Sequence, residues 1–336
     1  MRAPGFWLAS EPTPLARLLQ PFGALYGAIT AKRMRQRGAR PGAPVIVVGN
    51  FTVGGAGKTP VALAVARLLV AQGERPAFVS RGYGGAAARS APLRVAGHGW
   101  AEVGDEPLLL AQAAPTFVGA DRAAAAALAV DVAGPSVLVL DDGLQSRQVE
   151  PDLALAVVDG ATGVGNGLCL PAGPLRAPVA AQLRHVHALV IVGDGAPGDA
   201  IAAQAESAGL RILRAKIEPD ERARALAGQD VVAFAGIGLP DKFFRTLEDI
   251  GARIVARRTF SDHFPYSAAD IAELSALARE HNARLVTTQK DAVRLPALPE
   301  GETLPLAIPV RLVFEDENAA GALLAEGLSR ARPWKR

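Results

Sequence analysis

Gly49-Asn50-Phe51-Thr52-Val53-Gly54-Gly55-Ala56-Gly57-Lys58-Thr59-Pro60 lies between an apolar run, Val45 to Gly49, and an Ala/Val/Leu-rich stretch, Pro60 to Gln72. A short apolar run, a glycine-rich turn and a helical pattern in that order form the strand–loop–helix setting of a P-loop. In such a loop the backbone N–H groups turn toward phosphate oxygens, and the helix N-terminus adds positive potential. Lys58 then reaches the outer phosphates and Thr59 offers a hydroxyl to magnesium. The usual motif opens with glycine five residues before Gly57, where this chain has Thr52; Gly54, Gly55 and Gly57 supply the flexibility instead. Thr52, Val53, Gly54, Gly55, Ala56, Gly57, Lys58 and Thr59 are therefore the expected nucleotide-binding set, with ATP and Mg2+ as the expected cofactors.

A second signal lies downstream, where Val137-Leu138-Val139-Leu140 runs into Asp141-Asp142-Gly143. In P-loop folds an acid at the end of a neighbouring strand holds magnesium, so Thr59, Asp141 and Asp142 are the expected metal set. Other apolar runs bounded by Gly and Pro alternate with Ala/Leu-rich stretches of helical period, the pattern of parallel sheets covered by helices on both faces. The expected class is α/β. Eleven strands are read: Val45 to Gly49, Pro76 to Ser80, Thr116 to Gly119, Ser136 to Leu140, Leu153 to Val158, Ala188 to Val192, Leu210 to Lys216, Val231 to Ala235, Arg253 to Arg257, Arg284 to Thr287 and Pro309 to Val313. Helices are expected at Pro60 to Gln72, Asp121 to Ala129, Asp199 to Ala208, Pro240 to Ile250, Ala268 to His281 and Asn318 to Arg330. Gly160 to Pro178 carries five Gly and three Pro, which places a domain boundary there. That reading gives a P-loop domain over 41–160 and a second α/β domain over 161–315, with the C-terminal helix of 316–336 packing back on the first.

The 336 residues are half hydrophobic and about a fifth charged, enough for real cores and too apolar for a disordered chain. The net charge of +3 does not call for a nucleic-acid partner, and one cysteine, Cys169, excludes an internal disulfide framework. Leu18 to Ala31 is uncharged for fourteen residues, short of the roughly 18–20 a spanning helix needs. Glu11 before it and the lack of a small-residue cleavage site argue against a signal peptide. Lys32, Arg33, Arg35, Arg37 and Arg40 follow with no acid among them, so 1–40 reads as an interfacial helix for an anionic membrane surface, or as an ordinary docking helix with a solvated basic end.

Three further stretches carry weaker signals. Ser80-Arg81-Gly82-Tyr83-Gly84-Gly85 offers an arginine and a flexible backbone after the second strand, and Gly104-Asp105-Glu106-Pro107 puts two acids at a helix start, where capping also explains them. His263, in Phe260-Ser261-Asp262-His263-Phe264-Pro265, is a loop histidine beside an aspartate: an ordinary surface residue or a proton-transfer group.

Taken in order, the P-loop, Ser80-Arg81-Gly82-Tyr83-Gly84, Gly104-Asp105-Glu106-Pro107, Asp141-Asp142-Gly143-Leu144-Gln145, Pro171-Ala172-Gly173-Pro174-Leu175-Arg176 and Phe260-Ser261-Asp262-His263 resemble the tetraacyldisaccharide 4'-kinase family, the lipid A 4'-kinases, over nearly the whole chain. Thr52 agrees with that family's own P-loop. The resemblance implies two α/β/α domains with the active site in the cleft between them and an N-terminal helix that contacts the membrane. It implies transfer of the γ-phosphate of ATP to the 4'-hydroxyl of a tetra-acylated glucosamine disaccharide 1-phosphate, giving lipid IVA on the cytoplasmic face of the bacterial inner membrane, with no obligate protein partner. Asp105 would be the catalytic carboxylate, paired with His263, with Lys58 on the phosphates; Asn50, Arg81, Tyr83 and Arg176 would bind substrate. Ala177 and Gln289 stand where the family usually has Glu.

Two other classes remain. A partitioning or metal-insertion ATPase would carry a second lysine near the loop start, where this chain has Thr52 and Val53. A non-catalytic nucleotide-binding adaptor docked on membranes would need neither Asp105 nor His263.

Overall fold

The computed structural model describes residues 4–9, 11–297 and 304–332. Their helices are α1 (Pro14–Met34), α2 (Lys58–Ala71), α3 (Trp100–Val103), α4 (Asp105–Ala111), α5 (Arg122–Ala133), α6 (Val179–Leu183), α7 (Ala196–Ser207), α8 (Glu221–Arg224), α9 (Pro240–Asp249), α10 (Ala268–Glu280), α11 (Gln289–Ala292) and α12 (Glu317–Ala331). Their strands are β1 (Val45–Asn50), β2 (Pro76–Ser80), β3 (Leu93–Arg94), β4 (Thr116–Val118), β5 (Val137–Asp141), β6 (Leu153–Asp159), β7 (Ala188–Val192), β8 (Arg211–Pro219), β9 (Asp230–Ala235), β10 (Arg253–Thr259), β11 (Arg284–Thr288), β12 (Leu306–Ile308) and β13 (Val310–Phe314). Each of the eleven expected strands is present; β3 and β12, two and three residues long, are additional.

The larger sheet has the order β13-β8-β7-β6-β1-β5-β2-β4-β3. Strand β1 pairs in parallel with β5 on one side and β6 on the other, and only the short β3 is recorded antiparallel, to β4. All six residues of β1 are buried because both faces of the sheet are covered. Alternation then sorts them: Ile46 and Val48 pack with Val61, Val65 and Leu69 of α2 and Leu323 and Leu324 of α12. Val45 and Val47 point the other way, into a core shared with Ala125 and Ala129 of α5 and Ile201 and Ala205 of α7. The connection β1–α2–β2 passes over β5, so β1 and β5 end side by side, with Val48 opposite Asp141.

The boundary expected at 160 falls inside this sheet. Strand β6 continues into β7 and β8, and the chain leaves only after Ile217, returning at Leu312; Glu218–Arg311 is the smaller unit. Gly160 to Pro178 has the composition of a linker but is an ordered loop. Gly160 N–H donates to Val192 O at 2.9 Å, Asn166 Nδ2 donates to Phe6 O and Ala172 O, and Thr52 and Leu175 form a bridge back at the P-loop. Helix α12 lies in the larger unit, where Gly321 O accepts from Gln72 Nε2 of α2 at 2.9 Å.

The smaller unit is a parallel four-stranded sheet, β10-β9-β11-β12. Phe243, Phe244 and Leu247 of α9 cover one face with Ala223 of α8, and Ile271 and Leu274 of α10 cover the other.

Helix α1 is capped by Thr13, whose Oγ1 accepts from Ala16 N–H, and starts on Pro14, whose missing donor costs nothing there. Ala16, Gly23, Gly27, Thr30 and Met34 form its buried stripe. A Cβ at Gly27 would come within 2.7 Å of the Cys169 sulfur, so small residues let the helix lie directly on the 160–178 loop. Among the described residues no helix is long and apolar enough to cross a membrane.

Candidate active site

The P-loop leaves β1 at Asn50 and enters α2 at Lys58 through Gly57, whose φ of 87° is a left-handed conformation that favours glycine. Thr52 needs no such freedom. It sits in an extended bridge with Leu175, and Val53 N–H donates to Pro174 O at 2.8 Å, so the ordered 160–178 loop holds this end of the motif. Among the described residues no carbonyl accepts from the amides of Gly54, Gly55, Ala56 or Gly57. Those four donors, with the N-terminus of a 14-residue helix behind them, form a cradle for phosphate oxygens.

The return strand of that loop delivers Arg176. Its backbone N–H donates to Phe51 O at 2.9 Å, its Nε to Thr52 O at 3.1 Å, and its two terminal nitrogens grip the two Asp142 oxygens at 3.1 Å each. Lys58 Nζ lies 4.0 Å from the same carboxylate. Burial pushes the Asp142 carboxyl up, but Lys58, then Arg176 and Arg122, hold it below the usual carboxylate range. Asp142 stays ionised.

Asp141 behaves in the opposite way. It is 1 % exposed, its Oδ2 accepts from Thr59 Oγ1 at 3.2 Å, and its Oδ1 is buried with no hydrogen-bond partner. Burial, then the field of Glu106, push its carboxyl up to about 7. An orphaned carboxylate oxygen beside a hydroxyl is a hard-oxygen site, and these residues fit magnesium. No group of three or more His, Cys, Asp and Glu among the described residues is placed to hold a metal alone. Magnesium suits that arrangement, because it is commonly held by one or two carboxylates with phosphate and water completing its shell.

A buried amide relay supports the loop from below. Gln145 Nε2 donates to Asn50 O at 2.6 Å and to Gln182 Oε1 at 2.8 Å, and Gln182 Nε2 donates to Phe51 O and Ala177 O. Asn50 Nδ2 reaches Gly54 O at 3.3 Å, so Asn50 braces the loop's own turn. Residue 177 takes part through its carbonyl, which an alanine supplies as well as a glutamate. Gln289, the other departure, accepts from Val310 N–H at 3.3 Å at the edge of the smaller sheet.

Asp105 opens α4 and is 3 % exposed, its Oδ1 accepting from the Glu106 N–H at 2.8 Å. Arg81 and Tyr83 stand in the loop after β2, which is tied to α3 by Ala86 N–H donating to Ala101 O. Tyr83 is exposed. The larger unit thus carries the P-loop, Asn50, Arg81, Tyr83, Asp105, Asp141, Asp142 and Arg176, whereas His263 belongs to the smaller one. His263 has a left-handed φ of 57°, its N–H donates to Gly236 O at 3.1 Å, and its Nε2 is 3.8 Å from Asp262 Oδ1.

The family model described as tetraacyldisaccharide-1-P 4'-kinase matches residues 15–329. The chain belongs to that family. A tetraacyldisaccharide 4'-kinase of Methylorubrum extorquens is 55 % identical, covering 98 % of this chain and 100 % of its own. One from a Bradyrhizobium species is 48 % identical over 99 % and 97 %. The crystal structure of LpxK from Aquifex aeolicus in complex with ATP superposes with a TM-score of 0.73 at 26 % identity, covering 94 % of this chain and 99 % of that one. The 4'-kinase match runs through the P-loop, both units and most of α12, where an ATPase of another class or an adaptor would share the P-loop region alone.

Two residues of this 4'-kinase fold escape the sequence patterns, Arg122 and Gln182, while Glu106 and Gln145 stand in quoted motifs without an assigned role. Arg122 had a usable signal, since it follows the C-terminal end of β4, where ligand-binding residues of open α/β sheets collect. Gln182 had none.

Proposed function

We propose that this chain transfers the γ-phosphate of ATP to the 4'-hydroxyl of a tetraacyldisaccharide 1-phosphate, giving lipid IVA. The observation that carries this reading is the meeting of the phosphate cradle, Thr59 and the orphaned Asp141 oxygen at adjacent strand ends of a chain that matches 4'-kinases over nearly its whole length. The amides of residues 54–57 and Lys58 would bind the β- and γ-phosphates. Thr59, Asp141 and Asp142 would hold Mg2+, which when bound draws charge from the transferring group.

Asp105 is proposed as the general base: it takes the proton of the 4'-hydroxyl as that oxygen attacks the γ-phosphorus. The bond from the γ-phosphorus to the β–γ bridging oxygen breaks and ADP leaves. His263 is proposed as the second group of this proton transfer, orienting and tuning the base. Most of the acceleration this chain's own groups supply would come from Lys58 and the loop dipoles around the phosphoryl group.

The N-terminal helix suits an acylated acceptor. Leu15, Leu18, Phe22, Leu25 and Ile29 are exposed along α1 on the face away from its buried stripe, and Lys32 and Arg33 close the helix. An apolar face with a basic end partitions into an anionic interface. The reading therefore places the enzyme peripherally on the cytoplasmic face of the bacterial inner membrane, with the lipid as its partner.

The test is transfer of label from γ-labelled ATP, with magnesium, to the acylated disaccharide 1-phosphate. Transfer at the 4' position, lost in Asp105→Asn and strongly reduced in His263→Ala with ATP binding kept, supports the reading; no transfer by the wild-type chain overturns it.

A further inference from the structure

Arg122 is the first residue of α5, and its backbone N–H is anchored by Gln148 Oε1 at 2.8 Å. Its side chain is only 7 % exposed, yet its Nε is buried without a partner, and no hydrogen bond from its guanidinium to any described residue is recorded. The charges that act on it are Asp142, Arg81, Arg176 and Asp141. Of the two acids, Asp142 already has both oxygens taken by Arg176, with Lys58 beside it, and the hydrogen bond recorded to Asp141 comes from Thr59. Two of Arg122's four charged neighbours are themselves arginines, which only raises the cost of its burial.

A guanidinium taken out of water without an acceptor costs several kcal/mol, and the field of the two acids, opposed by that of the two arginines, offsets only part of it. The missing element is an anion with several oxygens. Arginine's planar fork matches a phosphate in two-point contact, which a carboxylate bound elsewhere cannot supply. We propose that Arg122 receives a terminal, dianionic phosphoryl group. The proposal rests on the phosphotransfer reading for its two sources: the terminal phosphate of the nucleotide, and the 1-phosphate of the acceptor.

The full-length chain and its Arg122→Gln and Arg122→Lys variants are titrated calorimetrically with ATP, with ADP, with the acylated disaccharide 1-phosphate and with the same disaccharide bearing a free 1-hydroxyl. Thermal unfolding of the ligand-free proteins is recorded alongside. Arg122→Gln removes an unpaired buried charge and so keeps or raises the unfolding temperature, while weakening one phosphate ligand about 10–100-fold; Arg122→Lys keeps the charge without the fork and recovers part of the loss. Loss confined to ATP, with ADP unchanged, identifies the terminal phosphate. Loss confined to the disaccharide 1-phosphate, absent with the free hydroxyl, identifies the acceptor. Wild-type affinity for both phosphate ligands in Arg122→Gln overturns the proposal. So does a weakening shared by all four ligands with a lowered unfolding temperature, which marks a structural arginine. Wild-type turnover is followed in parallel: its absence, with the binding differences intact, counts against the phosphotransfer reading and leaves the arginine site standing.

Discussion

The molecule holds two clusters of buried charge, and they are finished to different degrees. In the smaller unit Asp291 and Arg294 are both fully buried and fully used. Asp291 Oδ1 accepts from Gly236 N–H, Tyr266 Oη and Arg294, its Oδ2 accepts from Thr288, and Arg294 also donates to Gly236 O, Lys290 O and Phe264 O. In the larger unit Asp141 Oδ1, Asn50 Oδ1 and Arg122 Nε are buried with nothing to bond. A closed cluster of this kind holds loops in place, here the turn at Gly236 whose carbonyl also receives His263 N–H. An open cluster is strained until a ligand completes it, and strain of that kind gathers at functional sites.

The largest effect is expected where the closed cluster is broken. Asp291→Ala leaves Arg294 charged and buried, and denaturant unfolding should show about 3–5 kcal/mol lost. A loss below about 1 kcal/mol would mean the closed cluster is not structural. Next comes Asp141→Asn in the open cluster, where kcat should fall about 10²–10³-fold, roughly 3–4 kcal/mol in the barrier. Stability should move the other way. Asp141 has its carboxyl raised from 3.8 to about 7, so the folded chain binds more protons than the unfolded one between those values, and ligand-free stability falls as pH rises through that window. Asp141→Asn should flatten that fall; an unchanged pH profile would show that the carboxyl is not held neutral.

A smaller effect belongs to Gln182, which lies between the two extremes: fully bonded itself, but bonded to the P-loop. Gln182→Ala should cost about 1–3 kcal/mol of stability and raise KM for ATP by about tenfold. A stability loss with KM unchanged would place it with the closed cluster instead. The smallest effect is on the surface. Phe22 is 65 % exposed on α1, and Phe22→Ser should weaken binding to anionic vesicles by about tenfold with the unfolding temperature unchanged. Equal vesicle binding would make the apolar face a solvated one.

The two clusters also mark how far the sequence could be read. Residues 49–60 and 137–142 declare themselves because their chemistry is local: consecutive residues, one strand and one turn each. Most of the eleven expected strands were legible for the same reason, as apolar runs between breakers. The domain boundary was not, since five glycines and three prolines describe an ordered loop packed on Phe6, Gly193 and Thr52 as well as they describe a linker. The amide relay was illegible because Gln182 and Phe51 are 131 residues apart and meet only after the sheet forms. Arg122 was hidden differently: an arginine at a helix start reads as surface, and its place after β4 gains weight only once its burial is seen.

Thermal unfolding of wild type and Asp141→Asn at pH 8, with a non-hydrolysable ATP analogue in magnesium or in chelator, tests most directly whether the open cluster is completed by ligand. The wild type should unfold at a clearly higher temperature with magnesium than with chelator, and Asp141→Asn, starting higher without ligand, should lose that magnesium-dependent gain. An equal gain from magnesium in both proteins would contradict the account.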